Sequence, residues 1–249
     1  MAPTDFVELL VQGQPTNSLP KPPAGAGAAF FDKVLLFYGS APAKIQRLGH
    51  YYPWLINQVD DVAWVWRSAG IVERLNGNWK LSADCFIKAG ETAKTPQQRA
   101  SFAVGAIDSL ARNGDIEAAE SLGKQLASRL KRLGEPGLAA RALFNLGNAL
   151  VYQDRMPEAR KALLQGLPGL VASGHKLEAA SAKMALSSTY LYGGDPRLAL
   201  QFANEAIEEA EAISAEYLAD LARLNVALAH LVLSNLETAY SLLQDLRPR

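Results

Sequence analysis

Four alanines, Ala119, Ala159, Ala199 and Ala239, are separated by 40 residues each, and this spacing limits the possible folds more than any other feature of the chain. A fixed period of that length implies a stack of similar supersecondary units, each too small to bury its own apolar face. Twelve residues before the alanines lie Ile107, Gly147, Ser187 and Ala227, and three residues before them lie Ile116, Met156, Pro196 and Leu236. Turn signals precede this second set: Asn113-Gly114-Asp115, Asp154-Arg155, Gly193-Gly194-Asp195 and Ser234-Asn235. Within a unit, Leu143, Leu146, Gly147 and Leu150 step by three, one and three, the spacing of one face of a 3.6-residue helix. Each unit is therefore predicted to be a helical hairpin. Its first helix stops at Gly, Asn or Asp, and its second opens with an acidic or Pro-bearing turn such as Asp115-Ile116-Glu117 or Asp195-Pro196.

An earlier unit keeps the same order at shorter spacing, through Gly70, Gly77, Trp79, Ser82, Phe86 and Ala89. Upstream, Ala28 to Tyr38, the turn Gly39-Ser40-Ala41-Pro42 and Ala43 to Gly49 read as a degenerate hairpin, interrupted by Pro53. Residues 1–24, with Pro15, Pro20, Pro22 and Pro23, read as an extended tail holding one short helix over 5–11. The expected organisation is that tail, an irregular N-terminal helical unit over 25–59, and a solenoid of about five hairpins over 60–249.

Composition narrows the function classes. Lys and Arg number 25 against 25 Asp and Glu, so no net field attracts nucleic acid or an anionic membrane. The longest apolar runs are five or six residues, far below the roughly 18 that span a bilayer, and the apolar start Phe6 to Val11 lacks a basic n-region. A cytoplasmic location is the expectation. A single cysteine, Cys85, excludes an internal disulfide framework and any multi-cysteine metal site.

The series Leu143, Leu146, Gly147, Leu150, Asp154, Met156, Ala159, Leu163, Gly166 resembles the tetratricopeptide repeat, in a long form of 40 rather than 34 residues. Trp66, Gly70, Gly77, Trp79, Phe86 and Ala89 match its Trp, Gly, turn, aromatic, Phe and Ala positions, and the likeness covers roughly residues 60–246. The usual closing Pro is absent except near Pro96 and Pro136. The resemblance implies an all-α fold, a right-handed superhelical solenoid whose concave face binds a protein or peptide segment, with no cofactor, no metal and no chemistry of its own. The same resemblance leaves two alternatives: the regulatory or sensor arm of a larger regulator or caspase-like protease, and a receptor for a signalling peptide or small molecule.

Carried onto this chain, the family's groove positions are Trp64, Arg67, Ile71 and Arg74; Ser101, Val104, Asp108 and Arg112; Arg141, Phe144, Asn148 and Tyr152; Ser181, Met184, Ser188 and Tyr192; Leu221, Leu224 and Leu228. Among them Trp64, Arg67, Asp108, Arg112, Arg141, Asn148, Tyr152, Ser188 and Tyr192 are the expected partner-binding set. Donors with aromatic anchors suit an extended peptide or an acidic tail. Asn148 falls where peptide-binding members hold the ligand backbone. An ordinary solvated helix face is the competing reading, above all at Arg141.

Other features have plainer readings. Trp54, Trp64, Trp66 and Trp79 crowd into 26 residues, and core packing explains most of them. Cys85 beside Phe86 reads as a structural thiol, and His50, His175 and His230 are too scattered for a metal site. The Gly-Ala run over 24–29 lacks the Lys of a phosphate loop. Glu205, Glu208, Glu209, Glu211, Glu216 and Asp220 read as a solvated face. The last pair, Leu221 to Leu233 and Leu236 to Leu246, is as apolar as the interior ones. Leu231, Leu236, Leu243 and Leu246 are therefore expected to form an interface, covered by a second copy in a homodimer or by a longer chain.

Overall fold

The computed structural model describes residues 1–38 and 41–246; the expected turn at Gly39-Ser40 and the terminal Arg247-Pro248-Arg249 lie outside the described residues. Among these residues every regular element is helical. The chain forms two compact units, Met1–Ala119 and Glu120–Arg249.

The first unit runs through α1 (Pro3–Val11), a 3-10 turn at Thr16–Ser18, α2 (Ala26–Phe37), α3 (Pro42–Gly49), α4 (Tyr52–Leu55), α5 (Val62–Leu75), α6 (Trp79–Thr92), α7 (Pro96–Ala103) and α8 (Gly105–Arg112). The short helix of the expected tail is a packed element, while residues 12–18 are exposed. Phe6, Val7 and Leu10 of α1 are fully buried in one core with Phe30, Val34, Ile45, Leu48, Leu55, Val65 and Val72. Residues of the expected tail, of the expected irregular unit and of α5 thus share one apolar cluster, so no boundary falls at 24 or 59. Asp61, at the start of α5, reinforces the join. Its carboxylate accepts from the amides of Gly27 (3.0 Å) and Ala28 (2.8 Å), two donors at the head of α2 that have no partner within their helix.

The segment carrying the groove positions Ser101, Val104, Asp108 and Arg112 is broken at Val104 into α7 and α8. At the break the Gly105 carbonyl accepts from the Arg74 guanidinium (2.6 Å) and the Ser109 hydroxyl (3.3 Å). Glycine is needed at this break because the Phe86 ring lies between Gly70 and Gly105. A Cβ would come within 2.8 Å of that ring at the first position and 2.6 Å at the second.

From Ile116 the elements keep a regular step: α9 (Ile116–Arg132), α10 (Pro136–Val151), α11 (Met156–Ala172), α12 (Lys176–Tyr192), α13 (Pro196–Ala212), α14 (Glu216–Val232) and α15 (Leu236–Asp245). The unit boundary falls in the first turn of α9. Helices α11 to α14 are each 17 residues long, and three-residue connections complete a period of 20. Left-handed backbone recurs at that interval, at Gly114, Gly134, Asp154, Gly174, Gly194, Ser214 and Ser234. At each, the next amide reaches back to the carbonyl five residues earlier: Asp115 to Leu110, Glu135 to Leu130, Arg155 to Leu150, His175 to Leu170, Asp195 to Tyr190, Ala215 to Ala210 and Asn235 to His230. This is the Schellman closure of a helix, repeated for both turns of the period.

In the second unit α10 pairs with α11, α12 with α13 and α14 with α15, while the first helices α10, α12 and α14 are successive neighbours. Ala159, Ala199 and Ala239 are buried at these contacts, where small side chains permit close approach. Gly147 of α10 faces Leu163 of α11 so tightly that a Cβ would stand 2.5 Å from Leu163 Cγ.

Candidate functional site

In the first unit the expected groove residues are turned onto one another. Trp64 packs between Phe31 (5.0 Å between ring centroids) and Phe102 (4.5 Å). The Arg67 guanidinium lies over Phe31 at 4.4 Å, Phe102 at 4.7 Å and Trp64 at 5.6 Å, a cation stacked among three rings of its own unit. Asp108 accepts from Arg112 Nε at 3.1 Å and faces Arg74 Nε at 3.8 Å, while the Arg112 guanidinium sits over Trp79 at 5.0 Å. These four side chains have internal partners.

The second unit divides its set. Arg141 pairs with Glu178 of α12 at 3.1 Å. The Ser188 hydroxyl accepts from the Asn225 amide of α14 at 2.9 Å, and Asn225 also reaches the Met184 carbonyl at 3.3 Å. Phe144 packs into the cluster of Ala179, Ala182 and Ala185 on α12. Positions 141, 144, 184 and 188 thus serve contacts between successive first helices. Three members of the set are placed differently. The half-buried amide of Asn148 bonds no other described side chain, and Tyr152 and Tyr192 are 57% and 69% exposed. The two tyrosines occupy equivalent positions, 40 residues apart, where α10 and α12 end and the chain turns away.

A cleft of about 310 Å³ lies at the other end of α12, roughly 25 Å from Tyr192 along a 17-residue helix. Val171, Ala179, Ala212 and Ile213 give it apolar walls, with Lys176 and Glu209 as its charged members. Sequence reasoning missed it because its walls come from three helices. Nearby, Lys183 bridges Glu205 at 2.8 Å and Glu209 at 2.9 Å. Burial depresses the ammonium's pKa, but the two carboxylates outweigh that effect and hold it above the usual lysine range.

In the first unit Glu73 and Cys85 are buried. Glu73 accepts from the Tyr52 hydroxyl at 2.8 Å and the Asn78 amide at 2.7 Å. Burial, followed by that carboxylate, raises the Tyr52 hydroxyl well above the usual tyrosine range. Burial likewise pushes the Cys85 thiol up to about 12, with Glu73 adding to the effect. Among the described residues no group of His, Cys, Asp and Glu could hold a metal ion, and no helix is long and apolar enough to cross a membrane.

Beyond the tyrosines, Leu231 and Leu236 are 48% and 63% exposed; Leu243 is also exposed, and Leu246 is half-buried.

No protein-family model and no curated protein matches the sequence. Solved structures do match in fold. A signal-transduction ATPase with numerous domains from Pyrococcus horikoshii, bearing a tetratricopeptide-repeat sensor, aligns at TM-score 0.69 and 16% identity, over 96% of this chain and 38% of that one. A Rap protein crystallised with Competence and Sporulation Factor aligns at 0.69 and 11%, over 96% and 72%. A Podosopora anserina kinesin light chain with nearly identical TPR-like repeats aligns at 0.60 and 14%, over 76% and 94%. With its period, its Schellman turns and these likenesses together, the chain has the all-helical fold of tetratricopeptide-type repeat proteins.

Proposed function

We propose that this chain is a binding scaffold, acting by recognition rather than by chemistry and working in the cytoplasm. In this reading it takes a protein or peptide segment along the side of the second unit where Tyr152 and Tyr192 stand. The observation that carries the reading is the pair of tyrosines exposed at equivalent repeat positions, with the unengaged Asn148 amide one turn from Tyr152. Exposed tyrosines offer large contact areas at small entropic cost, and a free amide can hold a ligand backbone. Arg141 is paired with Glu178 and Arg112 with Asp108, so in this reading aromatic contact and amide bonding serve an extended peptide rather than an acidic tail, the two partners expected from sequence. The likeness to a Rap protein complexed with a factor supports a binding role, and the likeness to a repeat sensor supports a signalling role.

The test begins with a pull-down from the native cell, the captured protein identified by mass spectrometry and its binding measured by calorimetry. Tyr152→Ala or Tyr192→Ala should weaken binding about thirtyfold, roughly 2 kcal/mol, with the circular dichroism spectrum unchanged. Undiminished affinity in Asn148→Ala, Tyr152→Ala and Tyr192→Ala together overturns the proposal. The alternative of a sensor arm rests on the coverage of 38% of the multidomain ATPase; an effector domain recovered in stable association would favour it.

A further inference from the structure

The outer face of α14 and α15 repeats, forty residues on, a face that the chain covers twice within itself. On α12, Met184 packs in a cluster with Leu218 and Ala219 of α14, Ser188 accepts from Asn225, and Leu191 packs with Ala229. One repeat earlier, Phe144 and Val151 of α10 pack with Ala179, Ala182 and Ala185 of α12. Forty residues after Ser181, Met184, Ser188 and Leu191 stand Leu221, Leu224, Leu228 and Leu231. Their steps of three, four and three place them on one stripe of α14. Leu224 is 38% and Val232 58% exposed, and on α15 Tyr240 is 65% exposed beside Leu236, with Ala239 the one buried residue of that helix.

What covers this stripe elsewhere in the molecule is consistent. The covering helix presents Ala179, Ala182 and Ala185 in one case, and Ala219, Ala222, Val226 and Ala229 in the other. Small side chains allow the axes to approach while larger ones from the covered helix fill the grooves. We propose that the α14–α15 face docks an α-helix of a partner protein, laid along α14 as α14 is laid along α12, with alanine-sized residues at steps of three and four. One difference sets its chemistry. Leu228 stands where Ser188 accepts the Asn225 amide, so the partner helix carries an apolar residue where α14 carries Asn225.

The probe is a fluorescein-labelled peptide of residues 216–232 carrying Leu221→Gln, Leu224→Gln, Asn225→Ala, Leu228→Gln and Leu231→Gln, held helical by a side-chain lactam on its outer face. Titration with the full chain should raise its anisotropy to saturation. Leu224→Gln or Leu231→Gln in the protein, both at exposed positions, should weaken binding at least tenfold with the circular dichroism unchanged. A peptide also carrying Ala222→Arg and Ala229→Arg should not bind. Absence of saturation, equal binding of the arginine peptide, or indifference to both leucine variants overturns the proposal. So does a dimer in sedimentation equilibrium that Leu231→Gln splits, which assigns the face to a second copy.

Discussion

Replacing Gly147 by alanine isolates the contact on which the hairpin of α10 and α11 depends. The new methyl would stand 2.5 Å from Leu163 Cγ and 2.6 Å from its Cδ2, with the Ala159 carbonyl at 3.4 Å behind. Ordinary carbon contacts lie at about 3.5–4.0 Å, so the overlap is roughly 1 Å, and Leu163 is fully buried with no solvent to turn into. Overpacking of this kind costs about 1–3 kcal/mol. Against it stands the gain of about 1 kcal/mol when alanine replaces glycine inside a helix. Gly147→Ala should therefore destabilise by about 1 kcal/mol, and Gly147→Leu by more. The decisive comparison uses Leu163→Ala, itself costing about 2–5 kcal/mol, because it removes the atoms in the way. In that background Gly147→Ala should turn stabilising by about 1 kcal/mol, a coupling near 2 kcal/mol in a double-mutant cycle. Urea unfolding followed by circular dichroism measures all four corners. Additivity within about 0.5 kcal/mol would show that the two residues do not meet and that the repeat register is misplaced.

Asp61→Ala leaves two α2 amides without their carboxylate and should cost about 1–2 kcal/mol in urea unfolding; an unchanged midpoint refutes that capping role. Ser214 holds a left-handed backbone without being glycine, so Ser214→Gly should raise stability by about 0.5–1 kcal/mol, and a lower melting temperature would contradict the turn geometry. The hydrogen bond from Lys183, opposed by burial, holds the Glu205 carboxyl below its ordinary range. A carboxylate held low adds stability that is present above its unfolded value and lost as pH falls through its folded one. Wild type should therefore lose a few tenths of a kcal/mol more than Lys183→Met between about pH 5 and pH 3; parallel curves refute the pairing. Cys85, pushed up to about 12, should resist a thiol reagent at pH 8 until the protein is unfolded in guanidinium, and rapid modification of the native state would show the thiol is not buried.

The period and the hairpins were legible in the sequence because they answer to local demands. Ala159 and Ala199 recur where helices come too close for a larger side chain, and Gly114, Gly134, Gly174 and Gly194 recur where a helix closes through left-handed backbone. The half-period of 20 was hidden because Asp154, Ser214 and Ser234 take that backbone without being glycine. The N-terminal residues were misread as a tail because their prolines suggest extension, while the burial of Phe6 and Leu10 depends on partners as distant as Val65 and Val72. Of the candidate site, Tyr152 and Tyr192 came from the groove positions that the resemblance implies, and both are exposed where α10 and α12 end. The engagement of Arg67 by Phe31 and Phe102, and of Ser188 by Asn225, could not be read so, because each joins residues more than thirty positions apart. The sequence alone therefore determined the repeat and its helical hairpins, which rest on spacing within a few turns. Only the tertiary structure decided which face of each helix meets its neighbour, because each residue advances about 100° around the axis and one step moves a side chain from an open surface into a helix contact.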